Sequence, residues 1–313
     1  MNLPEQKISE ELNLKPHQVS RVIELLNGGA TIPFIARYRK EITGSLDEVV
    51  LTTIRDRHEQ LGELEKRRES ILASIEKQQK LTPELAGAIA QAETLNELED
   101  IYLPYKPKRK TRASMAKEKG LEPLAQVLFE QNQADINTLA ATFIDAEKGV
   151  ATEQEALDGA RDIIAEWISE NQEARQKIRE LFWSEGVIEA MVIKSKSESE
   201  EAQKFKDYFD WKEPIQKTPS HRLLAMRRAE KEGFITLNIE PAEEQAIALL
   251  EKQFVKGISK ASEQVSMAVK DSYKRLFKPS LEIEIRVESK MKADTDAIQG
   301  FAANLKKLWR ASP

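Results

Sequence analysis

From Leu46 to Lys80 the chain runs thirty-five residues with no proline and a single glycine, Gly62. Apolar residues recur in this stretch at Ile54, Leu61, Leu64, Ile71 and Ile75, a heptad-like stripe interrupted by Arg68. The spacing predicts one helix over about 46–80, roughly 50 Å long at 1.5 Å per residue. So short a stripe belongs inside the protein, packed by other helices, rather than in a dimeric coiled coil. Helix-start signals recur along the chain. Ser45–Glu48, Thr94–Glu97 and Thr152–Glu155 read as capping boxes, in which the hydroxyl accepts from the N3 amide and the glutamate reaches back. Thr82-Pro83 opens a further helix. With only 12 glycines and 12 prolines in 313 residues, a sheet-rich fold full of tight turns is excluded. "FITLNIE" (234–240) is the one convincing strand by alternation, and "VIEAMVIK" (187–194) reads equally as helix or strand. The expected class is all-α, a multi-helix scaffold with at most one or two short strands.

The N-terminal fifty residues carry a second pattern. Ile8 and Leu12 lie one turn apart, Leu14–Pro16 breaks the spacing, and Val19, Val22, Ile23 and Leu26 resume it. Two helices around a short turn form a helix-turn-helix-like element (about 5–45), with His17, Gln18, Ser20 and Arg21 on or near its outer face. A small helical bundle gives the same spacing. Asn27-Gly28-Gly29 then sits where a helix C-cap belongs, glycine taking the left-handed conformation cheaply. Thr31 is placed to cap the next helix, with Pro33 in its first turn. On that helix Phe34, Ile35, Tyr38 and Ile42 share a face, and Arg37, Arg39 and Lys40 point elsewhere. No GxxxxGK[ST] or GxGxxG follows a strand, so the glycines are punctuation and not a phosphate cradle.

Charge is distributed unevenly. The chain as a whole carries a formal charge of −5, yet residues 101–119 hold seven basic residues (Lys106, Lys108, Arg109, Lys110, Arg112, Lys117, Lys119) and one acid, Glu118. Pro104 and Pro107 keep the first part extended, and Tyr102 and Tyr105 flank it. An extended basic loop beside aromatics suits a phosphate backbone and stacked bases. The same loop also suits a neighbouring acidic protein face. The ten candidate contacts are therefore these seven, with Arg37, Arg39 and Lys40 as a secondary group.

The residues of common catalytic and metal chemistries are missing. Three histidines (His17, His58, His221) lie far apart, there is no cysteine, and no GxSxG, HExxH or DFG occurs. No catalytic residue, metal or cofactor is assigned, and a non-enzyme is expected. No apolar run approaches the roughly 20 residues that cross a bilayer, and the N-terminus lacks an apolar signal stretch. A cytoplasmic protein is expected. The polar "KSKSESEEAQ" (194–203) is the expected boundary between an N-terminal helical domain (1–195) and a second helical region (196–313).

Five long segments together carry more than spacing: "GGATIPFIARYRKEITGSLDE", "LEDIYLPYKPKRKTRASMAKEKGLEPLA", "KFKDYFDWKEPI", "PSHRLLAMRRAEKEG" and "DSYKRLFKPSLEIEIR". In that order they closely resemble the bacterial Tex family of transcription accessory proteins, over essentially the whole chain. The resemblance implies a cytoplasmic nucleic-acid-binding protein connected with transcription, related to a eukaryotic elongation factor and histone chaperone. It also implies a helical N-terminal portion whose helix-turn-helix-like element includes "IPFIARYRKE" (32–41). Members of that family continue into RNase H-like, helix-hairpin-helix and S1 domains. The sequence ends about where the first of these is expected, so a partial chain is expected. The expected partners are RNA or DNA contacted without sequence readout, and RNA polymerase or ribosome-associated proteins. The alternative is a scaffold that braces downstream domains and docks to the transcription machinery.

Overall fold

The computed structural model describes residues 3–132 and 135–311, with side chains in the last helix described as far as residue 300. The chain divides after Tyr105 into two compact units.

The first unit is helical throughout: α1 (Leu3–Glu11), α2 (Pro16–Asn27), α3 (Ile32–Tyr38), α4 (Lys40–Thr43), α5 (Glu48–Lys77), α6 (Pro83–Gln91) and α7 (Leu95–Tyr102). The long helix is α5, and every residue of its expected stripe is buried. It serves two cores. Leu51, Ile54 and Leu61 pack with Ile8, Val19, Val22, Ile23 and Ile35. Leu64, Ile71 and Ile75 pack with Ile89, Leu98 and Tyr102. Arg68, which interrupts the stripe, donates from Nε to Ile89 O (3.0 Å) and from Nη2 to Ala92 O (2.9 Å). It thereby satisfies carbonyls at the end of α6 that have no partner within the helix. The interruption is a capping device for a neighbouring helix.

Local signals mostly fall where expected. Gly29 takes φ +83°, and Ala30 N to Leu25 O (3.0 Å) and Gly29 N to Leu26 O (2.9 Å) close α2. Thr82, Thr94 and Thr152 accept from the third amide of their helices. Two expectations fail. Thr31 stands at the α3 cap without a side-chain bond. At α5 the cap is Asp47, which accepts from Val50 N (2.9 Å), and not Ser45. Gly44 and Ser45 both have positive φ (72° and 62°), so the chain is still turning at 45 and enters the helix two residues later.

The second unit comprises α8 (Arg112–Glu118), α9 (Glu122–Glu130), α10 (Ile136–Ala141), α11 (Glu153–Ser169), α12 (Gln172–Glu185), β1 (Val187–Val192), α13 (Glu200–Gln203), β2 (Trp211–Pro214), α14 (Ser220–Lys231), β3 (Ile235–Glu240), α15 (Glu243–Phe254), α16 (Lys260–Ser272) and α17 (Lys278–Ala311). "FITLNIE" is a strand as expected. "VIEAMV" also resolves as a strand, and it is the centre of an antiparallel sheet ordered β2-β1-β3, with Ile188 opposite Glu213 and Ile239. Among the described residues three strands form, where at most one or two were expected. The pairings of β1 also overturn the expected boundary at 194–203, since they join residues on both sides of that polar stretch within one core.

At the centre of this unit, α11 buries Ala156, Ala160, Ile163, Ile164 and Ile168. A Cβ at Gly159 would collide with Leu121 Cδ1 and sit 3.4 Å from Ala116 Cβ, so the missing side chain is what lets α8 and the start of α9 close on α11. Helix α16 runs into α17 through a π-helical turn, Tyr273–Phe277, without leaving helical backbone. Pro279 follows at once; in an unbroken α-helix its ring would press on the carbonyl of residue 275, and the widened turn receives it. Beyond it, Leu281, Ile285, Ser289 and Ala293 are buried while Ile283, Val287 and Met291 are exposed.

Candidate nucleic-acid interface

The ten basic candidates separate by what each side chain does. The stretch after Tyr105 is shorter and more fixed than an extended loop. Leu103–Tyr105 forms a single 3-10 turn, residues 106–111 are irregular, and Arg112–Glu118 is α8. Thr111 starts that helix by a reciprocal cap: its Oγ accepts from Ser114 N (3.0 Å) and Ser114 Oγ accepts from Thr111 N (2.8 Å). Thr111 Oγ also donates to Glu166 Oε2 on α11 (3.1 Å).

Lys108 is the strongest anchor of this stretch. Its ammonium lies between Glu170 and Glu166, the latter at 3.1 Å, and its side chain is only 28 % exposed. Burial alone would lower this ammonium, but the two carboxylates together outweigh it and hold the pKa above the ordinary lysine value. Glu170 goes the same way for the opposite reason: burial pushes its carboxyl up, and Lys108 offsets only part of the rise. Lys110 pairs with Glu118 (3.6 Å) and Lys117 with Glu122 (3.2 Å), the Lys117 ammonium also standing 6.0 Å from the Trp167 ring. Lys119 Nζ donates to Gly149 O (2.9 Å). Of the seven, Lys106, Arg109, Arg112 and Lys119 have no ion pair among the described residues, although Arg112 faces the field of Asp162. The expected continuous cationic strip is therefore broken by carboxylates from α8, α9 and α11.

The secondary group behaves differently. Arg37, Arg39 and Lys40 are all exposed and make no ion pair among the described residues. Helix α3 stops at Tyr38 because Arg39 leaves helical backbone (φ −127°, ψ 25°), and α4 starts afresh at Lys40. The expected single face breaks there. Ile35 alone is fully buried, while Phe34, Tyr38 and Ile42 stand 39 %, 61 % and 45 % exposed. The Phe34 and Tyr38 rings lie 5.3 Å apart with planes tilted by 45°. The Arg39 guanidinium does not point elsewhere but sits 5.2 Å over the Phe34 ring.

The residues expected on or near the outer face of α2 are largely engaged within the protein. Gln18 Nε2 donates to Thr43 O (2.9 Å), Ser20 Oγ donates to Glu5 Oε2 (2.6 Å), and Arg21 pairs with Glu24 (2.6 Å). His17 is exposed. Among the described residues no group of three or more histidine, aspartate or glutamate side chains is arranged to hold a metal ion, and no helix is long and apolar enough to cross a membrane.

Fold and surface together define a mainly helical chain with exposed cations, one of which, Arg39, lies over an aromatic ring. The chain belongs to the Tex family: residues 2–76 match the Tex-like protein N-terminal domain and residues 131–301 the Tex central region. It is 40 % identical over 98 % of its length to the transcriptional accessory protein Tex of Neisseria gonorrhoeae, of which it covers 41 %. Bacillus subtilis YdcI is 44 % identical over 99 % of this chain, covering 43 % of that protein. A human relative, S1 RNA-binding domain-containing protein 1, is 29 % identical over 98 % of the chain and covered for 32 %. The chain thus spans less than half the length of these relatives.

Proposed function

We propose that this chain is a non-enzymatic module of a cytoplasmic transcription accessory protein that touches RNA or DNA through phosphates, without reading sequence. One observation carries the reading: Arg37, Arg39 and Lys40 form an exposed cationic group free of carboxylate partners among the described residues. Phosphate contacts of this kind add affinity but no base discrimination. Lys106, Arg109 and Arg112 add secondary contacts. Lys108, Lys110 and Lys117 contribute little, because each would first have to leave a carboxylate. The names of the relatives, a transcriptional accessory protein and an S1 RNA-binding domain protein, support the same class.

The test is fluorescence anisotropy of the 313-residue chain with a labelled 20-nucleotide strand across a salt series. Affinity is expected to fall steeply with salt, and Arg37→Ala/Arg39→Ala/Lys40→Ala to reduce the slope of log K against log salt by about 2, at about 0.7 per phosphate contact on a single strand. Salt-independent binding, or an unaltered slope in the triple variant, refutes the reading.

The pairing of Lys108, Lys110 and Lys117 with glutamates favours a second reading, in which the helices brace further domains and dock to RNA polymerase or ribosome-associated proteins. Retained capture of such a partner by the triple variant, with no nucleic-acid binding by the wild type, would select it.

A further inference from the structure

The carboxylates that hold the basic stretch stand in one row. Asp158, Asp162, Glu166 and Glu170 recur every four residues, three on α11 and the last at its C-cap. Neighbours in the row share a face and lie about 6 Å apart along the helix axis. Arg161 and Arg275 hold the first two. The basic stretch runs along the row in the opposite direction. Lys108 sits at Glu170 and Glu166, Thr111 donates to the other oxygen of Glu166, and Arg112 lies in the field of Asp162. The row is ill placed for its own helix. Glu166 and Glu170 crowd the C-terminal end, where the backbone dipole favours cations, and the last turn holds no basic residue. Both are also largely buried, so Lys108 is the cation that offsets them. By contrast, Lys110 and Glu118 face each other across 3.6 Å with both side chains about two-thirds exposed. A pair of that kind is weak and yields to a competing anion.

Resting on the proposed phosphate contact, we infer that the carboxylate row of α11 is an internal competitor of the phosphate backbone, which occupies the basic stretch at Lys108 and withholds that cation from nucleic acid. Evenly spaced negative charge along a rod offers this stretch what a phosphate backbone offers. The row differs in being tethered beside its cation, so that it competes at a high effective concentration whatever the ligand present. Lys106 and Arg109, on either side of the held lysine, have no ion pair among the described residues and stay available. The row therefore sets how many phosphate contacts the stretch makes, and lowers that number without abolishing it.

Anisotropy of the 313-residue chain with the same labelled strand and salt series tests this, using variants that keep side-chain volume. Glu166→Gln/Glu170→Gln is expected to bind more tightly than wild type at low salt and to steepen log K against log salt by about 0.7, one phosphate contact on a single strand. Adding Lys108→Ala is expected to cancel that gain. Glu198→Gln/Glu200→Gln removes the same charge from an exposed polar stretch and is expected to keep the wild-type slope. Glu170→Gln alone, at the helix C-cap, is expected to shift the slope in the same direction by less, and guards against a fold defect in the double variant. An unaltered slope in both row variants overturns the competitor and leaves the phosphate contact standing. So does a gain that Glu198→Gln/Glu200→Gln matches, or one that survives Lys108→Ala. A gain in the row variants, with wild-type binding indifferent to Arg37→Ala/Arg39→Ala/Lys40→Ala, upholds the competitor and removes the contact at those three residues. Absence of binding by every variant at low salt overturns both.

Discussion

Replacing Lys108 by methionine keeps the stem volume and removes the cation between Glu166 and Glu170. The two carboxylates are 14 % and 13 % exposed in their side chains, and the ammonium 28 %. Exposed pairs contribute at most about 1 kcal/mol, whereas removing one partner of a buried pair costs about 3–5 kcal/mol. This site lies between, and two like charges are left facing each other, so the expected loss is about 2 kcal/mol. For a unit of about 200 residues that is a fall of about 4–8 °C in Tm. The loss depends on pH with a definite sign. Burial already raises Glu170 above its ordinary value, and losing Lys108 raises it further. A carboxyl that binds its proton more tightly in the folded state destabilises the fold above its folded pKa, and the penalty fades as pH falls through that value toward about 4.3. The deficit is therefore expected to be larger at pH 7.5 than at pH 5. In the wild type, the raised Lys108 contributes fully below the ordinary lysine value of about 10.4 and is lost as pH rises past it. Calorimetry at the two pH values is the measurement. An equal deficit at both, or none at pH 7.5, refutes the assignment of Lys108 as a buried anchor.

Two further outcomes are expected. Asp47→Ala should cost about 1 kcal/mol in thermal or urea melts by removing the α5 cap, whereas Ser45→Gly should be neutral or stabilise by up to about 1 kcal/mol, because residue 45 holds a left-handed φ of 62°; the reverse order would restore Ser45 as the cap. Gly159→Ala should destabilise by about 1–3 kcal/mol through overpacking against Leu121, and combining it with Leu121→Ala should recover less than additive loss in a double-mutant cycle.

What could be read from the linear chain was whatever depends on near neighbours. Helix spacing placed the buried stripe of α5 residue by residue, and threonine caps at 82, 94 and 152 acted within their own helices. Meaning that depended on distant partners was not legible. Arg68 reads as a flaw in a stripe until the carbonyls of Ile89 and Ala92 are brought to it. "VIEAMV" is too short for its own period to decide, and becomes a strand because segments more than twenty residues away pair with it. The run from Lys106 to Lys119 has one acid in the sequence, but the carboxylates that hold Lys108 sit on α11, more than fifty residues later. The rings at 34 and 38 were legible as neighbours on one face. Their exposure was not, since aromatic residues at helical spacing are ordinarily core.

The π-helical turn at Tyr273–Phe277 holds one residue more than ordinary winding would, and its width absorbs that residue without changing the phase of the helix that follows. Deleting one residue there would restore ordinary winding and keep Arg286 at the Leu237 carbonyl (2.6 Å) and Glu284 at Arg175 (2.7 Å). The cost would fall on Pro279, whose ring would then press on a carbonyl one turn back. A relative with a gap at these positions is therefore expected to lack that proline while keeping the same face of α17 toward the core.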